Sequence, residues 1–107
     1  MTEGSDNVSA VASGWVVLDE LQITVVAVDP EQRRQGLGRT VLKQLLVDAS
    51  NAGARQAFLD VAEDNHGALA LYGAFGFHTI GRRAGYYRNG KDALIQSLEL
   101  QTDIKLN

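Results

Sequence analysis

The chain has 107 residues and a formal net charge of −3, with 45% apolar and 21% charged residues. This is the size and composition of one modest globular domain, which buries roughly two-thirds of its unfolded surface. The absence of cysteine excludes disulfides, thiolate metal sites and a cysteine nucleophile. No apolar run reaches the ~18 residues of a membrane span, and the acidic balance argues against a general nucleic-acid binder.

Residues 2–13 are rich in Ser, Gly, Asp and Asn. They lack the basic start and apolar stretch of a secretory signal. They are expected to form a flexible lead-in, with a single domain over residues 14–107 and a cytoplasmic setting. Residues 14–18 are a short apolar run. Asp19-Glu20 supplies a tight turn, and residues 21–28 are dense in Val, Ile and Thr. Together these predict a hairpin whose second strand is buried. Asp29-Pro30 ends that strand, because proline cannot donate to a ladder.

Residues 36–52 read as a helix. Leu37, Val41, Leu42, Leu45, Leu46, Ala49 and Ala52 recur at three- and four-residue steps and make one apolar stripe. Gly53 suits the left-handed C-terminal cap. Residues 57–61 predict a short strand. Asn65 is a good N-cap for a second helix, whose apolar side is Ala68, Leu69, Leu71, Tyr72 and Phe75. Gly76 stops it. Residues 77–82 and 93–100 read as strands with an Asn89-Gly90 turn between them. The order predicts an α/β chain with a mixed sheet, a parallel crossover in its middle and antiparallel flanks.

The segment from Val28 to Arg39 carries the most chemistry. A strand ends, a loop turns, and a helix opens with Gly36 and Gly38. A helix N-terminus offers unpaired N–H groups and the positive end of the dipole, and glycine lets an anion come close to the backbone. Arg33, Arg34, Arg39 and Lys43 add local positive charge on an acidic protein. The combination suits the phosphates of a small anionic ligand. It is not a dinucleotide fingerprint, since no third glycine follows at the required spacing. It is not a nucleotide P-loop, since it lacks the Gly-Lys-Ser/Thr end. As a bare glycine pattern it is equally a plain structural helix start.

Three motifs in order sharpen this reading. Arg33-x-x-Gly36-x-Gly38 at a strand-to-helix junction resembles the pyrophosphate-binding motif of the GNAT acetyltransferase superfamily. Leu59-Asp60-Val61, Asn65, Ala70-Leu71-Tyr72 and Gly76-Phe77 resemble its next motif. Arg83-x-x-Tyr86-Tyr87 with Asp92-Ala93 resembles the tail of the ribosomal-protein-alanine N-acetyltransferases. The resemblance covers about residues 14–100 and implies the GNAT-type acyl-CoA N-acyltransferase fold. It implies acetyl-CoA as cofactor and a primary amine as acceptor, foremost the N-terminal α-amine of a protein.

The same resemblance implies residue roles. Val26 and Val28 would pair through their backbone with the pantetheine arm. The pyrophosphate would lie on the amides of Arg34, Gln35, Gly36, Leu37, Gly38 and Arg39, with Arg33 and its neighbours facing the ribose 3′-phosphate. Asn65 would contact the cofactor. Tyr72 matches the general acid for the departing thiolate, and Asp60 stands where close relatives carry a glutamate base. Tyr86 and Tyr87 would close over the substrate N-terminus. No metal is implied.

Each assignment has a plainer counterpart. Tyr72 suits a core aromatic, Asp60 a strand-end carboxylate, Asn65 a helix cap, and Tyr86 and Tyr87 strand aromatics. Glu63 and Asp64 read as solvated loop charges, either of which could substitute for Asp60, and His66 and His78 as surface or loop residues. Relative to the family pattern, about two helices and one or two strands that precede residue 14 are missing. Their absence is expected to leave a strand edge open and part of the apolar sheet uncovered, for a second copy or a partner to cover. A small-amine acetyltransferase and a non-catalytic CoA-binding or interaction module are the competing functions.

Overall fold

The computed structural model describes residues 10–28 and 36–100, with the side chains of Val25 and Val28 left out of that description. Its elements are β1 (Ala10–Val17), β2 (Glu20–Val28), α1 (Leu37–Asn51), β3 (Gln56–Ala62), α2 (His66–Phe75), β4 (His78–Arg83) and β5 (Ala93–Glu99). The strands form one sheet in the order β1-β2-β3-β5-β4. β2 and β3 are parallel, and every other neighbouring pair is antiparallel. This is the expected mixed sheet with a central parallel crossover.

Two details of the first hairpin differ from expectation. β1 begins at Ala10, inside the stretch expected to be a lead-in, because residues 10–13 pair with Val28 to Val25. Two alanines and a serine around Val11 give this stretch little strand signal of its own; the ladder with β2 orders it. The turn falls at Leu18 and Asp19, with Leu18 at φ 58°, so Glu20 already belongs to β2 and pairs with Val17.

The helices stop and start where their caps allow. Gly36 sits at the N-cap of α1 in the left-handed region, and Gly53 follows its end at φ 101°. The Ala68 amide donates to Asn65 Oδ1 at 3.1 Å, which caps α2, and Gly76 at φ 98° ends it. Leu42, Leu46 and Ala49 of α1 are buried, whereas Ala52 is an exposed cap outside the apolar stripe.

The core joins those α1 residues to Leu21, to Ala57, Leu59 and Val61 of β3, and to Tyr72 and Phe77. Leu42 is fully buried, so its truncation to alanine would cost about 2–5 kcal/mol. Side chains alternate along a strand, so Phe58 and Asp60 turn to the opposite face of β3. On β1 the same alternation leaves Val11, Trp15 and Val17 exposed in a row, with Trp15 61% accessible. Among the described residues no helix is long and apolar enough to cross a membrane.

Candidate functional site

β2 and β3 are joined over only three residue pairs, Glu20–Gln56, Leu21–Ala57 and Gln22–Phe58. Both strands continue, β2 to Val28 and β3 to Ala62, but they diverge. From Ile23 onward the edge of β2 that faces β3 has no strand partner among the described residues, while its other edge stays paired to β1. The cause lies two residues past Gln22, at Thr24. The β1–β2 register jumps between Ser13–Val25 and Gly14–Ile23, leaving Thr24 as an extra residue. Such a bulge bends and twists the strand that carries it. Gly14 permits it, because a Cβ there would run into the Gln22 carbonyl oxygen. The Thr24 hydroxyl donates to the Ser13 carbonyl at 3.2 Å and closes the bulge.

A cavity of about 280 Å³ sits at the mouth of this fork. Both members of the last pair, Gln22 and Phe58, line it, together with Glu20, Asp60, Arg83 and Ile95. Asp60 Oδ2 lies 3.6 Å from Arg83 Nε, reaching across β5 from β3 to β4. The Arg83 guanidinium also lies over the Tyr86 ring, 5.9 Å from its centroid. Tyr86 and Tyr87 meet edge to face at 5.0 Å. Tyr86 is exposed and Tyr87 half-buried.

Tyr72 is buried on α2, its ring tilted against Phe77 at 5.8 Å. Burial first, and then the neighbouring Tyr87 phenol, push the Tyr72 hydroxyl above the usual phenol range. Tyr87 is raised as well, by burial first and then by the negative charge of Asp60. Asp60, Tyr87 and Tyr72 are thus electrostatic neighbours, although they come from β3, the loop of residues 84–92 and α2.

The opening of α1 presents backbone donors that the helix itself does not use. The first backbone bond there runs from the Thr40 amide to the Gly36 carbonyl at 3.0 Å. The amides of Leu37, Gly38 and Arg39 precede it and have no partner within the helix. Gly36 has φ 76°, makes no side-chain cap, and has open space where a Cβ would stand. Arg39 lies over the Phe75 ring at 5.8 Å, tying α1 to α2. Arg33, Arg34 and Gln35 lie outside the described residues. Val26 and Val28 are on the unpaired stretch of β2, and Asn65 caps α2.

The contacts of two groups in this region were not foreseen from sequence. Arg83 belonged to a motif but had no role; its contacts cross a strand that sequence order does not place. Glu63 was read as a solvated charge, yet it accepts hydrogen bonds from the Asp92 amide at 2.9 Å and from Arg82 at 3.2 Å. Asp64 is exposed and pairs with Lys91 at 3.7 Å. His66 and His78 are both exposed, at the first positions of α2 and β4.

Comparison with known proteins bears on the family and the fold. Residues 2–77 match the acetyltransferase (GNAT) family. The chain is 43% identical over 82 residues to a protein of Bacillus subtilis named as a putative bS18-alanine N-acetyltransferase, covering 76% of this chain and 54% of that protein. It is 39% identical over 95 residues to the bS18-alanine N-acetyltransferase of Escherichia coli, covering 86% of this chain and 64% of that enzyme. The crystal structure of the Escherichia coli ribosomal-protein-S18-alanine N-acetyltransferase superposes with a TM-score of 0.80 at 37% identity, over 92% of this chain and 66% of the other. The chain therefore spans between about half and two-thirds of the length of these relatives. On the family match and the fold together, this chain belongs to the acetyltransferase (GNAT) family.

Proposed function

We propose that the chain carries the catalytic core of an acetyl-CoA-dependent N-acetyltransferase whose acceptor is the N-terminal α-amine of a protein, in the manner of the bS18-alanine enzymes it is similar to. The observation that carries this reading is the fork between β2 and β3, with the unpaired β2 edge on one side and the Asp60 cavity at its mouth. An unpaired strand edge accepts an extended, amide-bearing chain as an added strand. The pantetheine arm of CoA is such a chain. The residues present fit the rest of the cofactor: amides at the start of α1 with no partner inside the helix, no side chain at Gly36, and positive charge at Arg39.

In this reading Val26 and Val28 hold the pantetheine amides, and Gly36, Leu37, Gly38 and Arg39 hold the pyrophosphate. Arg33, Arg34 and Gln35 contribute from the preceding loop, and Asn65 from the start of α2. Bound acetyl-CoA supplies the acetyl group activated as a thioester. Asp60 takes a proton from the incoming amine, directly or through one water. A protein α-amine has a pKa near ~8, so modest base help suffices. The Val28 amide donates to the acetyl oxygen as negative charge develops there. Tyr72 gives its hydroxyl proton to the departing sulfur. Its burial suits this task, because a phenol raised above its usual range stays protonated at neutral pH. Tyr86 and Tyr87 close over the acceptor N-terminus. The amine attacks directly in a ternary complex, and the chain offers no cysteine for an acyl-enzyme.

The test is acetyl transfer followed by mass spectrometry. A short peptide with a free N-terminal alanine is compared with the same peptide blocked at its N-terminus, and with a panel of polyamines and amino acids. The reading expects one acetyl group on the free α-amine alone. Preference for a small amine would move the chain to the competing acetyltransferase class, and cofactor binding without any transfer would leave an interaction module. The exposed row of Val11, Trp15 and Val17 on edge strand β1 is the surface for a second copy or a partner. Sedimentation of a well-folded monomer at micromolar concentration would contradict that cover. A cytoplasmic setting completes the reading.

A further inference from the structure

We propose that Asp92 is a positioning residue for the acceptor, fixing the loop of residues 84–92 so that Tyr86 stays against Arg83 of the cavity wall with Tyr87 against Tyr86, and anchoring that loop to the turn before α2, which carries Tyr72. This inference rests on the functional reading above and adds a residue to it.

Asp92 is the last residue before β5, and each of its polar groups is spent on the same task. Its Oδ1 accepts from the Gly85 amide at 2.9 Å, which closes the start of the loop against its end. Its Oδ2 accepts from Arg82 at 2.6 Å, at the end of β4. Its own amide donates to Glu63 Oε2 at 2.9 Å, and its carbonyl accepts from the Glu63 amide at 3.0 Å. Arg82 reaches Glu63 Oε1 as well, at 3.2 Å, so two carboxylates share one guanidinium. Charge-assisted bonds of this kind are short and directional, and they order a loop better than isolated surface ion pairs do.

The consequence follows from what Glu63 precedes. Asn65, two residues on, caps α2, and α2 carries Tyr72. Tyr86 and Tyr87 lie inside the loop, where the Tyr87 amide donates to the Lys91 carbonyl at 3.1 Å. Asp92 therefore ties the loop of the paired tyrosines to the turn that starts the helix of the third. Among the described residues, no hydrogen bond or ion pair of this clamp reaches the start of α1 or the unpaired edge of β2. Its loss is expected to reach the acceptor and to spare the cofactor.

The experiment uses Asp92→Asn, Glu63→Gln and the double variant of the full chain. An alanine-initiated peptide serves as acceptor, and acetyl-CoA affinity is measured by calorimetry. The expected result is a rise of about tenfold in KM for the peptide, a smaller change in kcat and an unchanged Kd for acetyl-CoA. The double variant is expected to lose less than the product of the two singles, since both act through one network. Folded variants with unchanged peptide KM would overturn the proposal. So would a parallel loss of cofactor affinity and thermal stability, which marks a merely structural role. Should the unaltered chain fail to acetylate the peptide, the functional reading falls, and amide hydrogen exchange judges the clamp alone. Faster exchange at Gly85 and Tyr87 in Asp92→Asn, with α2 still protected, supports it; exchange equal to that of the unaltered chain overturns it.

Discussion

Gln22 and Phe58 are the last residues that hold β2 and β3 together, and the two strands part immediately beyond them. The bulged residue Thr24 and the bare Gly14 opposite are what turn β2 away. Gly14→Val would force side-chain atoms into the Gln22 carbonyl. Roughly 1–3 kcal/mol of stability is expected to go, with a weaker acetyl-CoA complex as the fork closes or distorts. Chemical denaturation and calorimetry on the same samples check both. Lost stability with unchanged cofactor affinity would detach the bulge from the site.

Tyr72→Phe removes a hydroxyl and little else. The ring keeps its contact with Phe77, so the core is largely preserved. Turnover is expected to fall about 10²-fold or more, with acetyl-CoA affinity nearly unchanged. Affinity that collapses while turnover survives would make Tyr72 structural.

The raised Tyr72 phenol also has a pH signature. The folded state keeps this proton to a higher pH than the unfolded chain does. The associated stability is complete below the ordinary phenol range near ~10 and is lost as pH rises through the folded value. Thermal melts on the alkaline side are expected to fall less steeply for Tyr72→Phe than for the unaltered protein.

Asp60→Asn keeps the shape of the carboxylate and removes its charge from Arg83 and Tyr87. Transfer to the peptide is expected to fall about 10²-fold, with acetyl-CoA affinity unchanged. A steady-state series in peptide concentration separates the loss in kcat from any change in KM. Full activity in this variant would return Asp60 to the plain role of ion-pair partner for Arg83.

At the acid end the clamp residue Asp92 titrates. Its carboxyl is held below the usual carboxylate range, first by the Gly85 amide and then by Arg82. The folded pKa is depressed, so the stabilisation is present above the unfolded value near ~3.9 and is lost as pH falls through the folded one. The stability gap between the unaltered chain and Asp92→Asn is expected to narrow as pH drops below that range, which acid titrations followed by circular dichroism measure.

The elements with strong local signals were legible before any coordinates. The stripe of Leu42, Leu46 and Ala49 marked α1, and Gly53, Asn65 and Gly76 marked helix ends, because cap chemistry is a property of single residues. The Ala10–Ser13 part of β1 was not legible, since its strand state comes from pairing with β2. Nor was the placement of β5 between β3 and β4, from which the Asp60–Arg83 contact and the Glu63–Arg82–Asp92 clamp both arise. The role of Gly14 was hidden for the same reason. In sequence it opens an apolar run, and only the pairing of Ala10–Ser13 with β2 puts it inside β1, opposite a bulge and in close approach to the Gln22 carbonyl.

The measurement that reaches the centre of this account most directly is a calorimetric titration of the chain with acetyl-CoA, with CoA and 3′-dephospho-CoA alongside, repeated on Gly36→Glu. A glutamate at that position would put a carboxylate and a strained φ into the opening of α1, where the phosphates are assigned. The account predicts micromolar binding of acetyl-CoA, weaker binding without the 3′-phosphate, and a further loss of about tenfold or more in the variant. No binding to the unaltered chain, or binding indifferent to both the 3′-phosphate and Gly36→Glu, would contradict it.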